Sequence, residues 1–518
     1  MIASIPLLRI IIQNQKPVYA YLLLLAGFLL PVFSFSQKSD EKKEVEILNA
    51  DELRFQESGG KKITKLVGNV RLKQDEILMW CDSAHLDKET NSVDAWGHIH
   101  IQQDTVNAFS NTLHHDGNRK FSSLQGNAQL SDGNMKLFTN QLFYDVKNRL
   151  SYYVDSGRVL KDSTVITSKR GYYYSNTNEV FFKGDVVIKD PDYTLYSDTL
   201  KYHTGTKVST FLGHTEIINA ESRIVCSSGW YDSEHNISAF GKNTTVYNPP
   251  QQLNADSIFY ERAIGFSKVI GPFQWIDSSM GVEILGHYGE YSDRRQYIMA
   301  TQKPLMIYKM EKDSLLLTGD TLKSMTKSET DTVRNFFAYR NVQLFMKDMQ
   351  GVCDSLFYSF EDSIFRMYQQ PVIWSDQTQM SGDTIYFYTK NRKADHFSIY
   401  RSGFIISPTG KKYYDQIKGT NIFGYFEDNE MRRLDVEGNS ESLYFGKDEK
   451  DKFIGANKAQ SNTISLHFEN KKIKKIVFIK KPEAVFTPMK MLTKEQMQLK
   501  DFKWQIDRKP KSREALLE

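Results

Sequence analysis

Cysteine is nearly absent, with three in 518 residues. Cys81, Cys226 and Cys353 fall five and four copies apart in the repeat described below. Strands stacked about 4.8 Å apart would separate such copies by roughly 20 Å or more, whereas a disulfide needs Cα atoms within about 7 Å. Buried free thiols are expected instead. Proline is also scarce, at 13 residues, while 13% of the chain is aromatic, a balance that favours strands. There is no Gly-x-Ser-x-Gly, no His-Glu-x-x-His and no glycine-rich phosphate loop. The common hydrolase, metalloprotease and nucleotide chemistries therefore have no carrier, and no cofactor is called for. Beyond residue 40 no apolar run is long enough to cross a bilayer as a helix. Basic and acidic residues nearly balance, 67 against 63, which gives no electrostatic footprint for a nucleic acid partner.

What the chain has in abundance is repetition. Residues 66–86, LVGNVRLKQDEILMWCDSAHL, couple a Gly-Asn-Val-x-Leu segment to a segment centred on Asp82. The Asp slot returns at Asp51, Asn111, Asn140, Arg170, Asp198, Ser228, Asp256, His287, Asp320, Asp354 and Asp383, at intervals of 28 to 34 residues. The glycine slot returns in phase at Gly97, Gly126, Gly157, Gly184, Gly213, Gly241 and Gly271, after which Pro304, Asn341 and Pro371 occupy it. A fixed period near 30 over more than 300 residues marks a stacked array in which no unit buries its apolar face alone.

The apolar parity flips at the Asp: Ile77, Met79 and Cys81 precede it, Ala84 and Leu86 follow. Side chains alternate faces along a strand, so a bend or bulge at the Asp is needed to keep both sets inside, turning the chain from one sheet to the next. Hairpin signals follow at 88–91, 116–118, 147–148, 176–178, 204–206, 234–236, 293–294 and 391–392. Each unit is expected to supply about three short strands, in two facing sheets around one apolar interior. The predicted fold is all-β, an elongated repetitive β-jellyroll or β-solenoid-like array of about 30-residue units, in two or three stacked jellyrolls. Leu53, Phe55, Met79, Leu86, Leu113, Leu142, Leu200, Tyr202, Ile258 and Tyr260 are the candidate interior positions, either as core or as contacts for an apolar ligand.

The recurring acids also fit a polysaccharide-cleaving β-helix. Replacement of the Asp by Asn, Arg, Ser and His is what a turn position tolerates and a catalytic one does not. His98 and His100 share a strand face and His114 and His115 lie in a hairpin arm; all four read as exposed strand residues rather than metal ligands.

The N-terminus places Arg9 and Lys16 before an apolar run at 19–35 and a small-residue frame, Ser34-Phe35-Ser36. Residues 1–36 read as a secretory signal peptide cleaved after Ser36. Residues 37–44 form a charged lead-in, 45–271 the regular array, 272–486 its diverged continuation and 487–518 a basic polar tail, helical or loose.

The frame I-L-N-A-D-E-L at 47–53, followed by L-V-G-N-V-R-L at 66–72 and Cys81-Asp82, resembles the opening of the OstA/LptA-like family. These are periplasmic proteins of lipopolysaccharide transport that share an organic-solvent-tolerance domain. The resemblance implies a non-enzymatic jellyroll whose interior holds acyl chains of lipopolysaccharide or a related glycolipid. It further implies end-to-end self-association and partnership with an inner-membrane anchor and an outer-membrane barrel, with a role in outer-membrane assembly. This chain has about twice the units of a single-jellyroll bridge protein and no closing aromatic strand at its end. The alternative is a structural or adhesive envelope repeat protein.

Overall fold

In a computed structural model, the described residues are 44–517 apart from 59–60, 293, 311–312, 332, 391–392, 411, 428–429 and 470–471. The signal segment, nearly all of the lead-in and three residues of the last two hairpin signals lie outside them. About 71% of the chain is strand, in one antiparallel sheet of 38 strands among the described residues. That sheet is creased along its midline.

The crease comes from the repeat. In the strand Lys61–Gln74 the register with Ile77–Asp87 slips between Val67 and Val70, so that Gly68 and Asn69 together oppose Asp82 alone. Both bulge residues have positive φ, 75° and 45°, a conformation that glycine and asparagine tolerate best. The Asp51 N–H donates to the Gly68 carbonyl at 2.9 Å, and Asn69 Nδ2 donates to Asp51 Oδ2 at 2.8 Å. A Cβ on Gly68 or Gly97 would collide with the carboxylate of Asp51 or Asp82, which is why the Asp and glycine slots recur together.

With two residues inserted on one strand and one on the other, the inward series is Leu66, Val70, Leu72 on the first and Met79, Cys81, Ala84, Leu86 on the second. The parity flip at the Asp is thus a bulge, as expected. Units such as Ile77–Asp87 with Ser92–Gln103 supply two long bent strands rather than three short ones, whereas in others the chain breaks at the turn into four short ones, as in Leu150–Tyr153, Gly157–Lys161, Thr164–Ser168 and Arg170–Tyr174. Positive-φ pairs also occur at Gly184-Asp185, Lys242-Asn243, Gln302-Lys303, Gln369-Gln370 and Lys480-Lys481. Pro304 and Pro371 therefore follow the bulge rather than occupy it.

Two slot positions also move by one. The residues whose N–H reaches the bulge carbonyls of Gly184 and Lys242, at 2.9 and 3.3 Å, are Lys169 and Ser227, not Arg170 and Ser228. With them the slots at 82, 111, 140, 169, 198, 227 and 256 are 29 residues apart throughout. Local composition hid this, since Lys and Ser are ordinary strand residues and only backbone pairing identifies the slot.

The crease divides the sheet into two wings that face each other, the long strands crossing it and the short ones ending at it. In the first wing one inward column runs Leu53, Leu66, Ala84, Ala95, Leu113, Leu124, Leu142 by direct pairing. It continues through Phe182, Leu200, Phe211, Gly229, Phe240 and Ile258, and far beyond through Ala338, Leu356, Met367, Ile385, Ile399, Ile422 and Val436 to Ile464. The second wing faces it with Leu72, Met79, Ile101, Ala108, Leu130 and Leu137. Buried residues from both wings form one apolar cluster from Val45 to Ala300 and another from Leu315 to Leu466. The interior thus divides later than the loosening of the repeat after residue 271.

The three cysteines are buried and free, and burial pushes their thiols up, Cys81 to about 12. The C-terminal segment is not loose. It passes across the outer face of the second wing, where Leu499 is buried against Phe404, Ile406, Leu443 and Phe445, with Phe502 and Trp504 packed beside it. Two buried glutamines hold its backbone. Gln416 donates to the Met497 carbonyl at 2.9 Å and accepts from the Leu499 N–H at 2.8 Å. Gln379 does the same to Lys503 and Gln505, at 2.8 and 2.7 Å. Both wing faces are therefore covered here, and the consecutive buried runs Leu315-Leu316-Leu317 and Val372-Ile373-Trp374 follow from it.

Candidate functional site: an apolar interior with a polar rim

Six of the candidate interior residues, Met79, Leu86, Leu113, Leu142, Leu200 and Ile258, are buried between the wings. Leu53 and Phe55 are not: they are 44% and 77% exposed. Register places Leu53 in the inward column opposite Leu66 and Phe55 opposite Thr64, but their strand Glu52–Ser58 is at the end of the array, where no further rung covers it. Tyr202 and Tyr260 belong to a different column, two residues nearer the open edge of the first wing. That column reads Leu86, Val93, His115, Ser122, Tyr144 and then Ser151, Tyr173, Val180, Tyr202, Ser209, Tyr231, Ser238, Tyr260. Small residues and large ring-bearing ones alternate along it.

Opposite this column, the inward series of the second wing ends in a polar residue at each hairpin: Gln74, Gln103, Asp132 and Lys161. Each reaches a ring on the first wing 41 residues ahead. His115 Nε2 meets Gln74 Oε1 at 2.8 Å, and Gln74 Nε2 donates to the Gly117 carbonyl at 2.9 Å. Tyr144 donates to Gln103 Oε1, Tyr173 donates to Asp132 Oδ2 at 3.1 Å, and Lys161 donates to the Tyr202 hydroxyl while lying 4.3 Å from its ring centre. The Val45 N–H donates to Asn91 Oδ1 at 2.9 Å at the start of the array. Outside these rungs Lys120 pairs with Asp75 at 2.8 Å and Arg149 with Asp104 at 2.9 Å.

Burial sets the chemistry of the rungs. It pushes His115 down to about 4, so the ring is neutral, with Nε2–H donating to Gln74 and Nδ1 accepting from Ser122, 2.9 Å away. The expectation that His115 is exposed therefore fails; its neighbour His114 is exposed and pairs with Asp94 at 2.6 Å. His98 sits in a bulge 2.8 Å from Asp82, and His100 stacks between Trp80 and Phe109. Burial lifts the Tyr144 phenol to about 12 and raises Tyr173 as well, which keeps both as donors. Beneath the Gln103–Tyr144 rung lies a cavity of about 10 Å³ lined by Ile101, Ala108, Leu130 and Leu142. One water fills such a space; drug-sized ligands occupy roughly 300–1,000 Å³.

Sequence reasoning missed the rungs, although a signal was there. Position 115 and Tyr144, Tyr173, Tyr202, Tyr231 and Tyr260 recur every 29 residues, as do Gln74, Gln103, Asp132 and Lys161. Neither set alternates with polar neighbours in a way that marks a rim rather than a core.

Beyond Ala300 the rim changes character. Met310, Met346 and Met349 at second-wing hairpins, and Tyr358, Phe365, Phe387, Phe426 and Met431 at first-wing hairpins, pack onto the interior there. Tyr358 and Phe365 lie 4.2 Å apart and Phe387 and Phe426 6.2 Å, by ring centroids.

Creased antiparallel strands around an apolar interior define a β-jellyroll array. Within it, residues 42–198 and 184–256 match the family described as OstA-like protein, and this part of the chain is OstA-like. No curated protein matches the chain. Among the solved structures similar to it is the crystal structure of LptH, the LptA homologous periplasmic component of the conserved lipopolysaccharide transport device from Pseudomonas aeruginosa. That likeness has 15% identity, a TM-score of 0.14, and covers 26% of this chain and 79% of that one.

Proposed function

We infer that the protein works in the periplasm in lipopolysaccharide or related glycolipid transport and outer-membrane assembly, as a bridge-type component that takes acyl chains between its wings. The observation that supports this most is the inward column running from Leu66 to Ile464, apolar but for glycines and for Tyr153, whose hydroxyl is taken up by Ser168, within and beyond the OstA-like residues. An unbroken apolar path is what lipid transfer requires. At its ends, strands Glu46–Asn49 and Glu52–Ser58 pair, among the described residues, only with Lys61–Gln74, and Lys472–Ile479 and Glu483–Pro488 only with Phe453–Glu469. Such edges accept further strands, from a second copy, an inner-membrane anchor or an outer-membrane barrel. The second reading is a structural or adhesive envelope array, and the near-absence of free volume under Gln103 and Tyr144 favours it.

A photoreactive residue at Leu142 or Leu200, in protein isolated with its native envelope lipids, separates the two. The transport reading expects lipid adducts at both positions and none at outward-facing Lys201. Folded protein with no adduct at either position leaves the structural array.

A further inference from the structure

The interior described above is filled by its own side chains, and one face of it is closed by side chains alone. At the crease the two wings are joined by continuous backbone in every long strand. At the opposite edge, over residues 45–202, they are joined by the hydrogen-bonded pairs Val45–Asn91, Gln74–His115, Gln103–Tyr144, Asp132–Tyr173 and Lys161–Tyr202. All of these except Asn91 and Val45 lie in the inward series, where the next residue toward the crease is apolar or glycine. A polar side chain at an inward position is retained only where it finds a partner; here each rung finds one on the other wing, and His115 also meets Ser122 on its own.

We propose that this ladder is a latch on the interior: the wings part rung by rung at Gln74–His115, Gln103–Tyr144, Asp132–Tyr173 and Lys161–Tyr202 to admit an acyl chain, and close behind it. The proposal rests on the reading that the interior takes acyl chains. Three properties of the rungs fit a latch better than a permanent seam. Each is one or two hydrogen bonds, worth individually about 1 kcal/mol net for the neutral pairs and roughly 1.5–3 kcal/mol where Asp132 or Lys161 carries a charge, so rungs open singly while the whole ladder stays shut. Each sits at the hairpin ends, so a parted rung exchanges its partner for water instead of leaving a buried orphan. The rings that close the rim carry a polar atom at the outer end of an apolar body, the form that suits a boundary between hydrocarbon and water.

The test reads accessibility before it reads lipid. In the full chain, a thiol at Leu142→Cys is labelled with a small maleimide, alone and combined with Tyr144→Phe, which removes the rung's hydroxyl and keeps its ring. A second combination uses Tyr173→Phe, and Ile258→Cys serves as the distant reporter. The latch expects labelling at 142 to rise about fivefold, the factor that one hydrogen bond of about 1 kcal/mol commands, with no change at 258. Equal acceleration at 142 and 258, or none at 142 in either combination, overturns it. Bridging Gln103→Cys to Tyr144→Cys with a bismaleimide should then abolish lipid adducts at a photoreactive Leu142; undiminished adducts also overturn it. If rung removal opens position 142 and no lipid is captured in any form, the latch stands and the transport reading falls.

Discussion

The two halves of the array share one backbone plan and differ in what closes it. Over residues 45–202 the wings meet through hydrogen-bonded polar rungs, and among the described residues the C-terminal segment packs on the second wing only farther along the array. Over residues 305–468 the rim is built of methionine and phenylalanine, and the outer face is overlaid by the C-terminal segment. A wing covered on one side needs its rim to hold it in place. A wing covered on both sides is held by packing, and its rim is left to flexible, apolar side chains that tolerate movement. The crease, which both halves keep, specifies the fold; the rim and the overlay specify how firmly each half stays shut.

The comparison breaks most severely if the overlay is removed. Truncation before Met489 should uncover Phe404, Leu443 and Phe445 and release Gln379 and Gln416. Large apolar side chains contribute about 1.5–3 kcal/mol each when fully buried, so a loss of several kcal/mol is expected in the second half alone. Hydrogen exchange should show strands Thr378–Ser381 and Tyr413–Glu427 losing protection while Ile77–Asp87 keeps it. The single change Leu499→Ala should cost about 2–5 kcal/mol in the same region.

Next in size is an acid sensitivity that His115 adds to the first half. His115 is held near 4 by burial, below the 6.5 of an unfolded chain. Between those values the unfolded state binds the extra proton, so stability rises with pH over the window and is lost as pH falls through it. The shift corresponds to about 3 kcal/mol. Urea denaturation of the wild type at pH 4 and pH 7 should show that difference, and His115→Gln should remove most of it.

The smallest effect has the opposite sign and belongs to the second half. Burial raises Asp415 to about 6, against one hydrogen bond from the Phe445 N–H that lowers it. The folded state binds the proton here, so this contribution is present below about 4 and disappears as pH rises through 6. Asp415→Asn should therefore stabilise strands Tyr413–Glu427 and Glu430–Lys447 at pH 7 and leave them unchanged at pH 4, by exchange rates in those segments. Equal pH profiles for the two halves would erase the distinction.

Much of this was legible from residue order. The Asp and glycine slots are local, and a flip of apolar parity within one strand has few geometric solutions, so the bulge at Asp82 and the inward placement of Leu113, Leu142 and Leu200 could be read directly. The phase at Lys169 and Ser227 could not, because a backbone hydrogen bond identifies the slot there and the side chain does not. The rungs escaped because their partners are 41 residues apart, so that neither Gln103 nor Tyr144 looks unusual beside its own neighbours. The docking of the last thirty residues escaped for a related reason: Leu492, Met497, Leu499, Phe502 and Trp504 follow neither a period of 2 nor one of 3.6. Their binding surface is created by strands 80 to 130 residues earlier.

The crease also works as a lever. Each half-strand runs about six residues from the bulge to the hairpin, roughly 20 Å at 3.3 Å per residue, with the column of Leu142 and Leu200 close to the fulcrum and the rings of Tyr144 and Tyr202 farther out. A rotation of ~10° about the line of bulges displaces the rim by roughly 3 Å, enough to sever a hydrogen bond, while the column of Leu142 and Leu200, about two residues from the fulcrum, moves by roughly 1 Å, enough to loosen its packing. Small angular play at the bulge residues, most of them free of a Cβ or bearing an amide, is thus magnified into the parting of a rung at the opposite edge.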